Sequence, residues 1–233
     1  MVAAQLGAVV GVVLTSGPRY GRGRRGSVAL QWTSRLLLRA LGVRVVTSGL
    51  PAAGPCLVVA NRSSWLDVLV LAAHAPMVPV AQARLGGWPL LGPLARRMRA
   101  VFVGGPAAGD LRGDVDQIAQ RLRSGHRVLV FPGAARRCGG ALERFRCAPF
   151  QAAVDAAVVI SPAAVSYRDG PGGRLTATNT WLPAIPAVVS GGHPARDRAM
   201  AARRTEYAVA RSLGRPVARR SATCDAVTAL VAF

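Results

Sequence analysis

The stretch ANRSSWLD, residues 60–67, sets an amide, a cation, two hydroxyls and a carboxylate directly after the apolar run CLVVA. Of Asn61, Arg62, Ser63, Ser64 and Asp67, the carboxylate and the hydroxyls are residue types that proton-transfer chemistry uses. The spacing looks like a catalytic signature, with a general base expected five residues ahead of the aspartate. Here that position is Arg62. A guanidinium stays protonated above about pH 12 and offers no lone pair, so it cannot take a proton. Beside Asp67 it would instead keep the carboxylate ionised. Asp67 alone is a weak base, and a useful one only if burial raises its proton affinity. Ser63 and Ser64 lack a base to activate them, and capping of the following helix is the plainer role for them.

A second corner has the same form. RVLVFP, residues 127–132, runs into GAARRCGG. Phe131, Pro132 and Gly133 close the strand, and Arg136 and Arg137 follow as possible holders of an anionic group. Solvated surface arginines are the plainer reading of that pair. The histidines do not supply the missing base. His74 lies seven residues past Asp67, about two helical turns away. His126 precedes a strand at the end away from the corner, and His193 sits in a Gly/Pro-rich loop.

Elements must position these corners, and the hydrophobic pattern supplies them. Residues 27–42 read as a helix, capped by Ser27 and ended by Gly42, with Leu30, Leu37, Leu38 and Leu41 on one face. Then strands and helices alternate: strand 43–49, strand 56–60, helix 64–74 with Trp65, Val68, Leu69 and Ala72 on one face, and strand 77–81. A loop with a short helix covers 87–97, and strand 100–104 follows. Helix 110–124 carries Leu111, Val115, Ile118 and Leu122 at helical spacing. Strand 127–132, helix 149–157 with Pro149 in its first turn, strands 158–167 and 174–182, and an arginine-rich helix near 195–213 complete the series. Such alternation predicts an α/β fold, with a mixed, mostly parallel sheet flanked by helices and its site beyond the strands' carboxyl ends.

Charge narrows the partners. The 233 residues hold 30 basic and 10 acidic side chains, a formal +20, and every basic one is arginine. Anionic partners follow from that surplus. Aromatics are only 5%, and no nucleic-acid-binding motif is present, so the stacking platforms of such proteins are missing. Half the chain is apolar and its mean hydropathy is +0.30, which fits a membrane surface better. Residues 2–14 are apolar but short of the roughly 20 needed to span a bilayer, and arginines follow at once. This reads as an interfacial or half-inserted anchor, cytoplasmic under the positive-inside rule. Cys56, Cys138, Cys147 and Cys224 have neither pairing motif nor metal spacing, so free thiols and no metal are expected.

In this order, the motifs resemble those of the 1-acyl-glycerol-3-phosphate acyltransferase (PlsC-like, lysophospholipid acyltransferase) family, over residues 36–170. Its first motif is Asn-His, four residues, Asp; this chain has Asn61, Arg62, four residues, Asp67. Its second block, roughly G-x-x-F-(I/V)-D-R, aligns with RAVFVGG at 99–105. Its third, F-P-E-G-(T/S), aligns with FPGAA at 131–135. WPLLG at 88–92 and ERFRCAPFQAAVDAAVVISPAAVSY at 143–167 match flanking stretches. The departures are systematic. Arg62 stands for the histidine, Gly104 and Gly105 for the second block's acid and arginine, and Gly133 for the third motif's glutamate.

The resemblance implies a glycerolipid acyltransferase-like fold and a role in phospholipid biosynthesis. It implies acyl transfer from acyl-CoA or acyl carrier protein, with no bound cofactor, to a lysophospholipid or glycerol-3-phosphate-type hydroxyl. The site positions it implies are Arg62 and Asp67 as catalytic. Asn61, Ser63, Ser64, Gly104, Gly105, Phe131, Pro132, Gly133, Arg136 and Arg137 are implied to bind substrate. Partners are then the acyl donor and an anionic membrane surface, at the cytoplasmic face, peripherally or by a single anchor. The chain divides into a membrane-associating segment 1–35, an acyltransferase-like domain 36–185 and an arginine-rich helical tail 186–233. Loss of the histidine and glutamate opens a second reading: a catalytically inactive relative that binds lipid or a partner enzyme.

Overall fold

A computed structural model describes residues 25–88, 92, 95–96, 99–104, 111–133, 141–170, 173–187 and 193–217. The apolar segment 2–14, Gly105, Arg136, Arg137, Cys138 and Cys224 lie outside the described residues. The elements in chain order are α1 (Arg25–Ala40), β1 (Arg44–Ser48), β2 (Cys56–Ala60), α2 (Asp67–His74) and β3 (Val78–Gln82). Next come a 3-10 turn (Ala83–Gly87), β4 (Val101–Val103), α3 (Leu111–Arg123), β5 (Val128–Val130) and α4 (Ala148–Asp155). Finally there are β6 (Val159–Asp169), β7 (Leu175–Trp181) and α5 (Pro194–Leu213).

Seven strands form one sheet in the order β1-β7-β6-β2-β5-β3-β4. β2 pairs in parallel with both β5 and β6, and β3 in parallel with β5 and β4. β7 runs antiparallel to β6, and β1 is parallel to β7. The central strands are buried on both faces, which is why CLVVA and VLV read as unbroken apolar runs. Alternate residues of β2 divide between two cores. Leu57 and Val59 join Val115, Ile118 and Leu122 of α3, Phe150 of α4 and Val209 of α5. Cys56, Val58 and Ala60 join Leu30, Leu37 and Leu38 of α1 and most of α2. So α1 and α2 cover one face of the sheet, and α3, α4 and α5 the other. The arginine-rich helix is thus built into the core.

α1 docks on α2 by polar as well as apolar contacts. The last carbonyls of any helix lack partners in their own helix. Gln31 Nε2 donates to the His74 carbonyl at 2.8 Å, and Arg35 Nε to that of Ala73 at 2.7 Å. A cation at a helix C-terminus also opposes the helix dipole, an effect worth about 0.3–1 kcal/mol.

Several sequence expectations shift. α1 begins by Arg25, so Ser27 lies inside it, not at its cap. α2 starts at Asp67, three residues later than read, and its N-cap residue Leu66 makes no side-chain cap bond. Trp65 therefore lies outside the helix and is exposed, as is Leu111 at the start of α3. Ala83–Gly87 forms a 3-10 turn that the pattern did not announce.

Candidate functional site

β2 and β5 are neighbours, with Val59 opposite Val130. The two corners, some 70 residues apart in sequence, therefore meet side by side at one sheet edge. β6 lies on the other side of β2 and overshoots it: Ala60 pairs with Ala163, and β6 continues to Asp169. That overhang supplies the corner with partners.

Asn61 is buried and clasps the overhang. Its Oδ1 accepts from the Val165 N–H at 2.8 Å, and its Nδ2 donates to the Val165 carbonyl at 2.8 Å. The same Nδ2 reaches Ser63 Oγ at 3.0 Å. Both amide atoms are thus committed to structure, and Asn61 joins β2 to β6 beyond their ladder.

Asp67 is fully buried. Its Oδ2 accepts the backbone N–H of Ser63 at 2.6 Å and of Ser64 at 2.8 Å. Its Oδ1 accepts the Tyr167 hydroxyl at 2.6 Å. The carboxylate thus closes the turn that leads into α2. The serines do not cap that helix; Ser64 Oγ accepts only the Leu66 N–H, at 3.2 Å, within a local turn. Burial raises the Asp67 carboxyl above its ordinary range, against the lowering pull of the Ser64 N–H, the Tyr167 hydroxyl, the Ser63 N–H and the Arg62 charge. Arg62 is half-buried, and burial lowers its proton affinity while Asp67 raises it. A guanidinium starts far above the physiological range, so it stays charged at any physiological pH. The Tyr167 hydroxyl is pushed upward by burial, then by the Asp67 charge and the bond it donates there; it is no base either.

The other predicted positions among the described residues are Phe131, Pro132, Gly104 and Gly133. Phe131 is 2% exposed and walled into the core beneath α2. The Pro132 carbonyl accepts the Arg146 N–H at 3.1 Å. Gly104 adopts φ +69° and donates its N–H to Asp114 Oδ2 at 2.9 Å, tying β4 to the start of α3. Gly133 is buried, and a Cβ built there would meet Glu143 and Phe145 at 3.8–3.9 Å, ordinary contact. Space alone does not forbid a side chain at 133, and the carboxylate-bearing Glu143 stands directly beside it.

The histidines stay away. His74 lies at the far end of α2, about 10 Å along the axis from Asp67. Its ring stacks obliquely on Trp181, with centroids 5.9 Å apart. Burial, then the Arg35 charge, lowers its proton affinity. His126 precedes β5, at the opposite edge of the sheet from the corners.

Tyr167 and Glu143 are the residues that sequence reasoning missed. Tyr167 shares its strand parity with Ala163 and Val165, which face α2, and that parity is its one sequence signal. Among the described residues no group of three or more His, Cys, Asp or Glu could hold a metal. Cys56 and Cys147 are unpaired, and burial pushes the Cys56 thiol to about 11.

The acyltransferase family profile matches residues 42–166, the span that contains both corners. This chain belongs to the acyltransferase family. A lyso-ornithine lipid O-acyltransferase of Pseudomonas aeruginosa is 34% identical over 138 residues, 59% of this chain and 53% of that protein. A 1-acyl-sn-glycerol-3-phosphate acyltransferase of Neisseria gonorrhoeae is 32% identical over 118 residues, 51% and 46% respectively. This family member therefore spans about half the length of the curated relatives it matches. The crystal structure of the 1-acyl-sn-glycerophosphate (LPA) acyltransferase PlsC of Thermotoga maritima superposes with a TM-score of 0.67. The match covers 91% of this chain and 92% of that one, at 17% identity. The α/β fold with a mostly parallel mixed sheet is that of the family.

Proposed function

We propose that this acyltransferase-family chain works in phospholipid biosynthesis as a membrane-associated protein that binds the family's lipid ligands without itself performing base-assisted acyl transfer. One observation carries the reading. The residue five positions before Asp67 is an arginine, and Asp67 already accepts three donors, from Ser63, Ser64 and Tyr167. Removing a proton from a lipid hydroxyl needs a lone pair near the working pH. Arg62 has none, and Asp67 has little acceptor capacity left. A permanent cation at a strand end suits an anionic headgroup instead. The ligands are then a lysophospholipid or glycerol-phosphate-type acceptor, with acyl-CoA or acyl carrier protein as the donor class. Arg136 and Arg137 would extend the cationic side.

Exposed apolar side chains support membrane association. Trp65, Trp88 and Leu111 follow β2, β3 and β4, so all three stand at the edge that holds the corners. Val28, Trp32 and Leu36, four residues apart, form an exposed ridge on α1, with Arg35 over the Trp32 ring at 5.6 Å. Apolar anchors beside arginines suit an anionic interface. Among the described residues no helix is long and apolar enough to cross a membrane. Peripheral or singly anchored attachment fits these features, and the arginines that follow residues 2–14 favour the cytoplasmic face.

A second reading, active acyl transfer, is favoured by the raised proton affinity of Asp67, which moves it toward a useful base. Vesicle flotation with lysophosphatidate titration tests the first reading. Expected are binding that strengthens with anionic lipid and a lysolipid affinity weakened by Arg62→Gln. Absence of vesicle binding, or a lysolipid affinity unmoved by that change, would overturn it.

A further inference from the structure

We propose that the buried layer between α1 and β7 holds a binding site for one uncharged hydroxyl oxygen, that of a water molecule or of a glycerol-type molecule, which bridges Ser34, Asn179 and Trp181. Four polar atoms of these side chains are buried and make no hydrogen bond: Ser34 Oγ, Asn179 Oδ1, Asn179 Nδ2 and Trp181 Nε1. The three residues are 0%, 0% and 5% exposed. Folded chains rarely leave even one such group unmade, and three side chains in one layer point to a partner that they share.

The fold brings the three together. Asn179 and Trp181 lie two residues apart on β7, so they share a face, with Cα atoms about 7 Å apart. That face is the α1 side. Trp181 belongs to the buried layer under α1 and α2, and Asn179 stands opposite Val165 of the same layer. Ser34 sits on the α1 stripe of Leu30, Leu37 and Leu38, at helical spacing from each, and that stripe packs into this layer too. One turn ahead of Ser34, Gln31 Nε2 donates to the His74 carbonyl at 2.8 Å. The His74 ring in turn lies on Trp181, with centroids 5.9 Å apart. Ser34 is therefore one helical turn from a chain of contacts that ends on the Trp181 ring. None of the four atoms bonds to another, so the oxygen that completes them stands between them.

The atoms select the ligand. Asn179 Nδ2 and Trp181 Nε1 only donate, Asn179 Oδ1 only accepts, and the Ser34 hydroxyl does either. An oxygen that both accepts and donates meets them all, and a hydroxyl or a water is such an oxygen. A carbonyl or carboxylate would leave Asn179 Oδ1 unmade, and an ammonium would oppose the two N–H donors. Charge points the same way. An ion would enter an apolar layer whose three polar side chains are all neutral, at a high desolvation cost. His74, beside Trp181, has its proton affinity lowered by burial and then by the Arg35 charge, so it is neutral at pH 7 as well. Arg35 Nε is engaged by the Ala73 carbonyl at 2.7 Å. The bridging oxygen fastens α1 to β7, as Gln31 and Arg35 fasten it to α2, and a buried water that joins otherwise unmade groups is a regular part of a folded chain.

The test uses the full chain, labelled with nitrogen-15 in its tryptophan indoles, in buffer and with added glycerol. The chain has four tryptophans, and Trp181→Phe identifies the N–H resonance of Trp181. Expected in buffer is a through-space magnetic contact from that N–H to a long-lived water. If glycerol is the source, its addition replaces this contact by one to glycerol C–H protons, with a saturable shift of the resonance. Ser34→Ala should move the same resonance and weaken the contact, although Ser34 makes no bond to Trp181. Asn179→Leu breaks the bridge and should lower Tm by about 2–4 °C or more. An Asn179 amide that was merely buried without a partner would instead give a gain in stability on the same change. The proposal is overturned if the Trp181 N–H contacts neither water nor glycerol, if Ser34→Ala leaves its resonance unmoved, or if Asn179→Leu is as stable as the native chain or more so. Should Asn179→Leu fail to fold, the resonance of the native chain and of Ser34→Ala decides alone. Vesicle binding enters none of these readouts, so the outcome is independent of the membrane reading.

Discussion

Tyr167→Phe isolates the link between two elements 100 residues apart in the chain. It deletes one hydroxyl, keeps the ring, and removes the 2.6 Å bond to Asp67 Oδ1. A hydrogen bond to a charged acceptor contributes about 1.5–3 kcal/mol, and short charge-assisted bonds lie at the stronger end. The lost tyrosine hydroxyl no longer needs desolvation, which offsets part of this. A net loss of about 1–2.5 kcal/mol follows. In a chain of this size each kcal/mol moves Tm by about 2–4 °C, so a drop of roughly 2–10 °C is expected. Urea unfolding of Tyr167→Phe, Asp67→Asn and the double variant gives the coupling directly. Two groups in contact should couple by about 0.5–3 kcal/mol, so the double variant should lose less than the sum. Strict additivity, or a Tyr167→Phe chain as stable as the native one, would refute the idea that Tyr167 closes the Asp67 site.

Asn61→Asp sets a carboxylate against the Val165 carbonyl and removes the donor to it; a loss of about 2–4 kcal/mol in urea unfolding is expected. Gly49→Ala puts a Cβ 2.7 Å from the Trp181 carbonyl oxygen at φ +74°, so Tm should fall, by about 1–3 kcal/mol in free energy. Asp67 also has a pH signature. Its folded proton affinity is raised above the ordinary 3.8, so the folded state holds more protons between those two values. Its contribution to stability therefore rises as pH falls through that window and is flat and unfavourable above it. Native minus Asp67→Asn stability, from unfolding at a series of pH values, should shift toward the native chain on acidification; the opposite slope would show a carboxylate stabilised as an anion. Arg62→His alone should not restore family-like turnover in an acyl-transfer assay, because Gly105 and Gly133 also depart from the family pattern.

The strands were legible wherever burial left unbroken apolar runs. CLVVA and RVLVFP read as strands, and a mostly parallel sheet sets their carboxyl ends on the side that holds the site, whereas the order of the strands came only from the structure. The start of α2 was misread because Ser63 and Ser64 are common capping residues, while the cap-like bonds here run the other way, from their amides to Asp67. Leu111 fits the spacing of the α3 core face, yet as the first residue of the helix it stands in solvent. Tyr167 could not be paired with Asp67 from sequence. Its position depends on how far β6 overshoots β2, a matter of register that no local pattern carries. The inward turn of Asp197 and Glu206 is likewise a packing outcome: both sit on the α5 face that carries the buried alanines.

The central claim is that the β2–α2 corner keeps the family's scaffold without a base. The direct measurement is acyl transfer by the purified chain in phosphatidylglycerol-containing vesicles, with lysophosphatidate and lyso-ornithine lipid as acceptors and acyl-CoA or acyl carrier protein as donor. No diacyl product above a protein-free control is expected with either acceptor. Product that forms with the native chain and disappears in a folded Asp67→Asn variant would contradict it.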